Sequence, residues 1–93
     1  MALTLVVQNH TITDINTEEV ITLPESSFDI IIRLRNPAHS IQIATRAGQS
    51  NLEFFTLDST FPGLTLEDVD VYKQKLYVRS PDIATLEILV GQD

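Results

Sequence analysis

Short runs of alternating apolar and polar residues, separated by turn signals, constrain this chain more than any other feature. Ile, Val and Thr contribute 10, 7 and 10 of the 93 residues. Their side chains, branched at Cβ, suit a pleated sheet better than a helix. Turn-forming residues recur near positions 9–10, 14–17, 24–27, 36–37, 48–51, 62–63 and 80–82. A turn about every ten residues predicts a sandwich or a barrel.

Eight segments between these turns are predicted to be strands. They span residues 3–8, 19–23, 28–35, 40–46, 52–58, 64–72, 75–80 and 84–90. We therefore expect an all-β chain with a single domain over residues 1–93. The expected fold is a small antiparallel β-sandwich of seven or eight strands, with a jelly-roll or immunoglobulin-like topology.

The C-terminal segment carries a local turn signal. Ser80-Pro81-Asp82 stands between two apolar runs. Pro81 presets φ for a corner position and Ser80 can bond the turn backbone. This pattern predicts a β-hairpin at the C-terminal end.

Residues 65–76 have two interpretations. Thr65 could cap a helix whose apolar residues follow at helical spacing. The alternation of Val69 and Val71 with acidic residues instead favours a strand or irregular structure, which we prefer.

Alternation also predicts which side chains are buried. The expected core comprises Phe28, Ile30, Ile32, Leu34, Ile41, Ile43, Leu86, Ile88 and Val90. Other apolar residues share faces with acidic ones and break the pattern: Ile31, Phe55, Leu57 and Leu89. Scattered exposed apolar residues are ordinary on a monomer. Gathered on one surface, they would form a docking patch, and we take Ile31, Phe55 and Leu57 as its candidate residues.

Charge and composition limit the classes of partner that the chain could bind. The net charge of −7, from 13 acids against 6 bases, argues against a nucleic-acid interface. Arg33 and Arg35 are the only basic pair on one predicted strand face, and a solvated mixed-charge face is the expected arrangement. No apolar run approaches the ~20 residues of a membrane span. The N-terminal apolar run lacks the basic region of a signal peptide, so synthesis in a cytoplasm is expected.

Few residues could carry chemistry. The chain has no cysteine, which excludes disulfides and thiolate metal sites. His10 and His39 lack metal-ligand spacing. His39 and Ser40 are adjacent, and neighbouring strand residues point to opposite faces. We therefore expect no catalytic site, no metal site and no cofactor, and a protein that is not an enzyme.

Two alternatives stay open. Glu67, Asp68 and Asp70 form the densest acidic cluster; it could bind calcium, although a solvated acidic edge is the expected state. Tyr72 and Tyr77 could stack on a sugar if they were exposed, which would suit a carbohydrate-binding module.

Four segments of the C-terminal half occur in a familiar order: Phe55 to Leu57, Leu64 to Leu66, Leu76 to Ser80, and Thr85 to Val90. This order resembles the C-terminal halves of small structural proteins from tailed bacteriophages. In those proteins a strand of the LYVRS type pairs with a last strand of the T-x-E-I-L-V type. The resemblance covers less than half of the chain.

The resemblance implies a virion component made in the host cytoplasm. The expected function is that of a capsid decoration (cement) protein, which stabilises the shell by docking an apolar sheet face. The implied partners are the major capsid protein or other virion subunits. The resemblance also implies a homo-oligomer, with a trimer favoured. The alternative that it implies is a carbohydrate- or receptor-binding module of a tail or fibre.

Overall fold

Eight strands form two sheets in the computed structural model, which describes residues 4–23, 27–67 and 75–92. The strands are β1 (Thr4–Thr11), β2 (Glu19–Thr22), β3 (Ser27–Leu34), β4 (Ile41–Ala44), β5 (Phe55–Leu57), β6 (Gly63–Leu66), β7 (Lys75–Arg79) and β8 (Thr85–Gln92). Each predicted strand segment overlaps one of them. The predicted all-β sandwich is therefore confirmed.

The two sheets have the strand orders β1-β8-β3-β6 and β2-β7-β4-β5, and all their pairings are antiparallel. Strand β4 pairs with β5, β3 with β6, β2 with β7, and β1 with β8. This nested pairing winds a long double ribbon around the core, which is the jelly-roll arrangement.

The predicted C-terminal hairpin is wrong. Strand β7 pairs with β2 and β4, whereas β8 pairs with β1 and β3 in the other sheet. The turn between them does form, since the Asp82 N–H donates to the Ser80 hydroxyl oxygen at 2.9 Å. The Ser80 hydroxyl in turn donates to the Ser40 carbonyl at 2.5 Å. Local turn chemistry is the same for a hairpin and for a crossover between sheets, so it does not distinguish them.

The helical alternative for residues 65–76 is wrong at both ends of the segment. Thr65 and Leu66 belong to β6, and Lys75 and Leu76 belong to β7. Residues 68–74 lie outside the described residues.

The core lies between the two sheets and is apolar. Its buried members are Ile12, Ile21, Leu23, Ile30, Ile32, Leu34, Ile41, Ile43, Leu57, Leu76, Val78, Ala84, Leu86, Ile88 and Val90. Every predicted core residue is among them except Phe28, whose side chain lies outside the described part of the chain. Period-two alternation therefore identified the buried face of the long strands, because those strands bury one face only.

Replacing Gly63 by alanine should destabilise the fold by about 1–3 kcal/mol, a typical cost of overpacking. Gly63 lies opposite Arg33 in the β3–β6 pairing. A Cβ at this position would come within 2.8 Å of the Ile32 carbonyl oxygen and 2.9 Å of the Arg33 Cβ. Because one of these atoms belongs to the backbone, β6 must move away from β3. Urea denaturation would measure the loss, and a Gly63→Ala variant as stable as the wild type would contradict it.

Candidate functional site

Three strands bring apolar side chains together on the outer face of the β1-β8-β3-β6 sheet. Val7 lies opposite Leu89 in the β1–β8 pairing, and Leu89 lies opposite Ile31 in the β8–β3 pairing. Leu5 lies two residues from Val7 along β1, and its side chain is therefore on the same face. Leu5, Val7 and Ile31 are exposed by 68%, 70% and 41%, and Leu89 is partly exposed. We call Leu5, Val7, Ile31 and Leu89 the apolar patch.

A charged group borders the apolar patch. Glu87 lies opposite Arg33 across β8 and β3. Its carboxylate accepts from Arg33 Nε at 2.8 Å and from Arg35 Nε at 3.0 Å. The hydrogen bond from Arg33 and, to a smaller extent, that from Arg35 lower the pKa of Glu87 below its usual value. The expected mixed-charge face is thus an organised ion-pair group that stays ionised at neutral pH.

A shallow concavity of about 350 Å³ lies where the patch and the charged group meet. It is lined by Val7, Asn9, Ile31, Arg33, Glu87, Ile88 and Leu89. The arrangement combines an apolar floor with hydrogen-bonding groups on one side, as the contact surfaces of protein partners do.

The outer face of the β2-β7-β4-β5 sheet is different because the β4–β5 loop packs on it. Ser50 in this loop is fully buried, and its hydroxyl accepts from Arg79 Nε at 3.3 Å. Glu18 holds the loop, since its carboxylate accepts from the N–H groups of Gly48 at 2.8 Å and Ser50 at 3.1 Å. The hydrogen bond from the Ser50 side chain, and next that from the Gly48 N–H, lower the pKa of Glu18.

Of the three predicted interface residues, only Ile31 lies on the apolar patch. Leu57 is fully buried, so its prediction as a docking residue is wrong. Phe55 is 40% exposed, but it lies on the core-facing side of β5, at the edge of the other sheet. The register explains both, because Leu57 lies opposite Ile41 and Phe55 opposite Ile43, which are core residues.

The error came from Glu53, which shares the parity of Phe55 and Leu57 and suggested a solvent face. Glu53 precedes β5 and pairs with Arg46 at 2.6 Å in the β4–β5 loop. Its exposure therefore says nothing about the orientation of the strand that follows.

Leu5 and Val7 were not among the predicted docking residues. They lie in the predicted strand 3–8, whose outward-facing side chains were not assigned. Their parity with Asn9 and Thr11 was the available signal, because those polar residues share the outer face of β1.

His10 and His39, the candidates for metal binding or catalysis, lie on different elements of the fold. His10 Nε2 lies 2.8 Å from Glu19 Oε1. His39 lies in the β3–β4 loop, and its Nδ1 is buried with no hydrogen-bond partner among the described residues. Residues 4–23, 27–67 and 75–92 contain no group of three His, Asp or Glu side chains that could hold a metal ion.

The remaining acidic and aromatic candidates are only partly described. Glu67 is exposed, whereas Asp68, Asp70 and Tyr72 lie outside the described residues. Tyr77 is partly buried in β7. In the part of the chain that the structure describes, no helix is long and apolar enough to cross a membrane.

Comparison with known proteins identifies no relative. No protein-family model matches the chain, and no curated protein or solved structure matches it either. The jelly-roll fold serves many unrelated functions. Function is therefore inferred from the outer face of the β1-β8-β3-β6 sheet.

Proposed function

We propose that this protein is a non-enzymatic structural component of a tailed-phage virion, and specifically a capsid decoration protein. It docks the outer face of the β1-β8-β3-β6 sheet on the shell. The observation that carries the proposal is the apolar patch, in which three side chains are exposed by 41–70% on one sheet face. The resemblance of the C-terminal half to small virion proteins supplies the partner, the major capsid protein.

Burial of the patch supplies the binding free energy in this mechanism. Covering the exposed part of a Leu, Val or Ile side chain contributes about 1–2 kcal/mol. The patch therefore contributes only a few kcal/mol per copy before the cost of association. A shell presents many equivalent sites, so copies linked to one another bind far more tightly than one copy alone.

The ion-pair group next to the patch sets the orientation of docking. Arg33 and Arg35 are exposed by 68% and 54% in their side chains. Each presents guanidinium N–H groups beyond the bond to Glu87, and these fit carboxylates or carbonyls on the capsid subunit. Charges at the rim of an interface act mainly on specificity and association rate.

An Ile31→Lys substitution should weaken binding to expanded, DNA-free capsid shells of the encoding phage by at least about tenfold. A lysine at the β3 side of the patch, next to Leu89, would bring an ammonium group into an apolar contact. Co-sedimentation with the shells measures the bound fraction over a range of protein concentrations.

Val20→Lys is the matched control for this experiment. Val20 is also β-branched, is 51% exposed, and lies in β2 of the other sheet. The control should bind like the wild type. If Val20→Lys abolished binding while Ile31→Lys bound normally, the docking face would be the opposite sheet and the proposal would fail.

A further inference from the structure

Strand β1 is the longest free edge of the described sandwich. It has eight residues, whereas the other edge strands, β2, β6 and β5, have four, four and three. Natural proteins protect exposed edges with short strands, lysines, prolines or bulges. The sequence of β1, TLVVQNHT, contains no lysine or proline, and its register with β8 is unbroken. This edge is therefore open to pairing with another strand.

The hydrogen bonds of the sheet show which backbone groups of β1 are free. The Ile12 N–H donates to the Ala84 carbonyl at 2.8 Å, and the Arg35 N–H donates to the Thr85 carbonyl at 3.0 Å. Even-numbered residues of β8 therefore bond to β1, and odd-numbered ones bond to β3. In an antiparallel ladder the hydrogen-bonded pairs recur at every second residue. Ile12 directly follows β1 and is bonded to Ala84, so the even-numbered residues of β1 form the backbone hydrogen bonds to β8. The N–H and C=O groups of its odd-numbered residues point outward from the sheet edge.

The side chains of β1 divide in the same way. The side chains of even-numbered residues contact the rest of the sandwich. Val6 packs against the core, Gln8 Nε2 donates to the Thr22 carbonyl at 3.0 Å, and His10 bonds to Glu19. Odd-numbered residues face solvent, with Leu5 and Val7 exposed by about two thirds. One set of residues therefore builds the fold, and the other set presents both its backbone and its side chains to a partner.

We propose that β1 pairs antiparallel with β1 of a second copy of this chain, about a two-fold axis at Val7. Val7 lies opposite the partner's Val7, and Leu5 lies opposite the partner's Asn9. The pairing forms about six backbone hydrogen bonds, two for each opposed pair of odd-numbered residues. The two β1-β8-β3-β6 sheets become one continuous sheet of eight strands.

Charge and continuity of the apolar surface identify a second copy as the occupant. The chain carries a net charge of −7, yet the outward-facing residues Leu5, Val7, Asn9 and Thr11 are all uncharged. Two copies can therefore approach through β1 without bringing carboxylates together. With the axis at Val7, the apolar row of Val7, Leu89 and Ile31 continues into the same row of the partner.

This pairing is two-fold, in contrast to the trimer that the phage resemblance implies. It is isologous, which means that both copies use the same surface, so the assembly is complete with two copies. It needs no capsid and does not rest on the proposed function. If both hold, the dimer presents two joined apolar patches on one face.

Disulfide trapping tests the register directly, because the chain has no native cysteine. In the proposed pairing the two Val7 Cα atoms lie about 5.5 Å apart, within the reach of a disulfide. The two Leu5 Cα atoms lie four residues apart along the strand axis, about 13 Å, which is beyond that reach. Val7→Cys should form a covalent dimer rapidly under diamide, and Leu5→Cys should not.

Leu5→Cys is a close control, since Leu5 and Val7 are exposed by 68% and 70% on the same strand. Equal rates of cross-linking in the two variants would indicate random collision and would overturn the proposal. Absence of a dimer in both variants would overturn it as well.

Val7→Pro provides an independent measurement. It removes the N–H that faces the free edge and leaves the bonds from β1 to β8 in place, as edge-strand prolines do. At about 100 µM, a concentration suited to a small interface, the wild type should sediment as a dimer and Val7→Pro as a folded monomer. A wild-type monomer at this concentration, or a dimer that survives Val7→Pro, contradicts the pairing.

Amide hydrogen exchange covers the case in which Val7→Pro does not fold. On raising the wild-type concentration, the amides of Val7 and Asn9 should gain protection while those of Val6 and Gln8 stay protected throughout. Unchanged exchange at Val7 and Asn9 overturns the proposal. The Ile31→Lys variant separates the two proposals, because it should still form the dimer but should no longer bind the capsid shell.

Discussion

Leu57→Ala should lower the free energy of unfolding by about 2–5 kcal/mol, the range for truncating a fully buried leucine. Leu57 is completely buried on the core-facing side of β5, opposite Ile41, which is also completely buried. Removal of its isopropyl group leaves a cavity between the two sheets that the surrounding strands can fill only in part. Urea denaturation followed by circular dichroism would measure the loss.

Phe55→Ala is the matched control, because Phe55 lies on the same side of the same strand but is 40% exposed. Its truncation loses less buried area and should cost less than Leu57→Ala, although phenylalanine is the larger side chain. If Phe55→Ala were the more damaging variant, Phe55 would be the core residue and the register of β4 with β5 would be wrong. If Leu57→Ala cost less than about 0.5 kcal/mol, as at a surface position, Leu57 would be exposed as the sequence first suggested.

Glu19→Gln should cost about 2–3 kcal/mol at neutral pH, since it leaves several donors without an ionised acceptor. Glu19 Oε2 accepts from the N–H groups of Thr13 and Asp14, both at 2.9 Å, and from the Thr13 hydroxyl at 3.1 Å. Its other oxygen lies 2.8 Å from His10 Nε2. One carboxylate thus ties the β1–β2 loop to both edge strands.

The same carboxylate makes stability depend on pH. Burial raises the pKa of Glu19, but the hydrogen bonds from Asp14, Thr13 and His10 outweigh it, and the net pKa lies below 4.5. The unfolded chain then binds more protons than the folded one between the two pKa values. The stabilisation is fully present above about pH 4.5 and is lost as the pH falls through the folded-state pKa.

The difference between wild type and Glu19→Gln should therefore be large at pH 7 and shrink below about pH 4. Denaturation in urea at a series of pH values would measure it. Glu53→Gln is the control, because the Arg46–Glu53 pair is about 70% exposed on both sides and such pairs contribute about 0.5 kcal/mol or less. A Glu19→Gln cost that matched the control, or that stayed constant with pH, would contradict the role of this carboxylate.

Much of the fold could be predicted because its strands bury one face. The alternation in β3 and β8 identified Ile30, Ile32, Leu86 and Ile88 as core residues, and all four are buried. The same alternation placed Ile31 and Leu89 on the opposite face, where they lie in the apolar patch. Where a strand is long, its own sequence contains enough periods to define both faces.

The prediction failed where a strand is short or its partner is distant. Strand β5 has only three residues, so its orientation could not be separated from that of the loop before it. Leu57 was assigned to the wrong face for this reason. The partner of β7 depends on pairings with β2 and β4, and the turn at Ser80 carries no information about them.

From its sequence alone, this protein is an all-β chain whose strands, turns and principal buried residues are local properties, set by side-chain branching and period-two alternation. The tertiary structure alone decided which strands pair, which sheet face carries a packed loop, and which residues join Ile31 in the apolar patch. Those features depend on contacts between residues far apart in the chain, such as Val7 with Leu89 and Glu18 with Ser50. The alternation of a single strand specifies two faces but not the neighbour that each will meet.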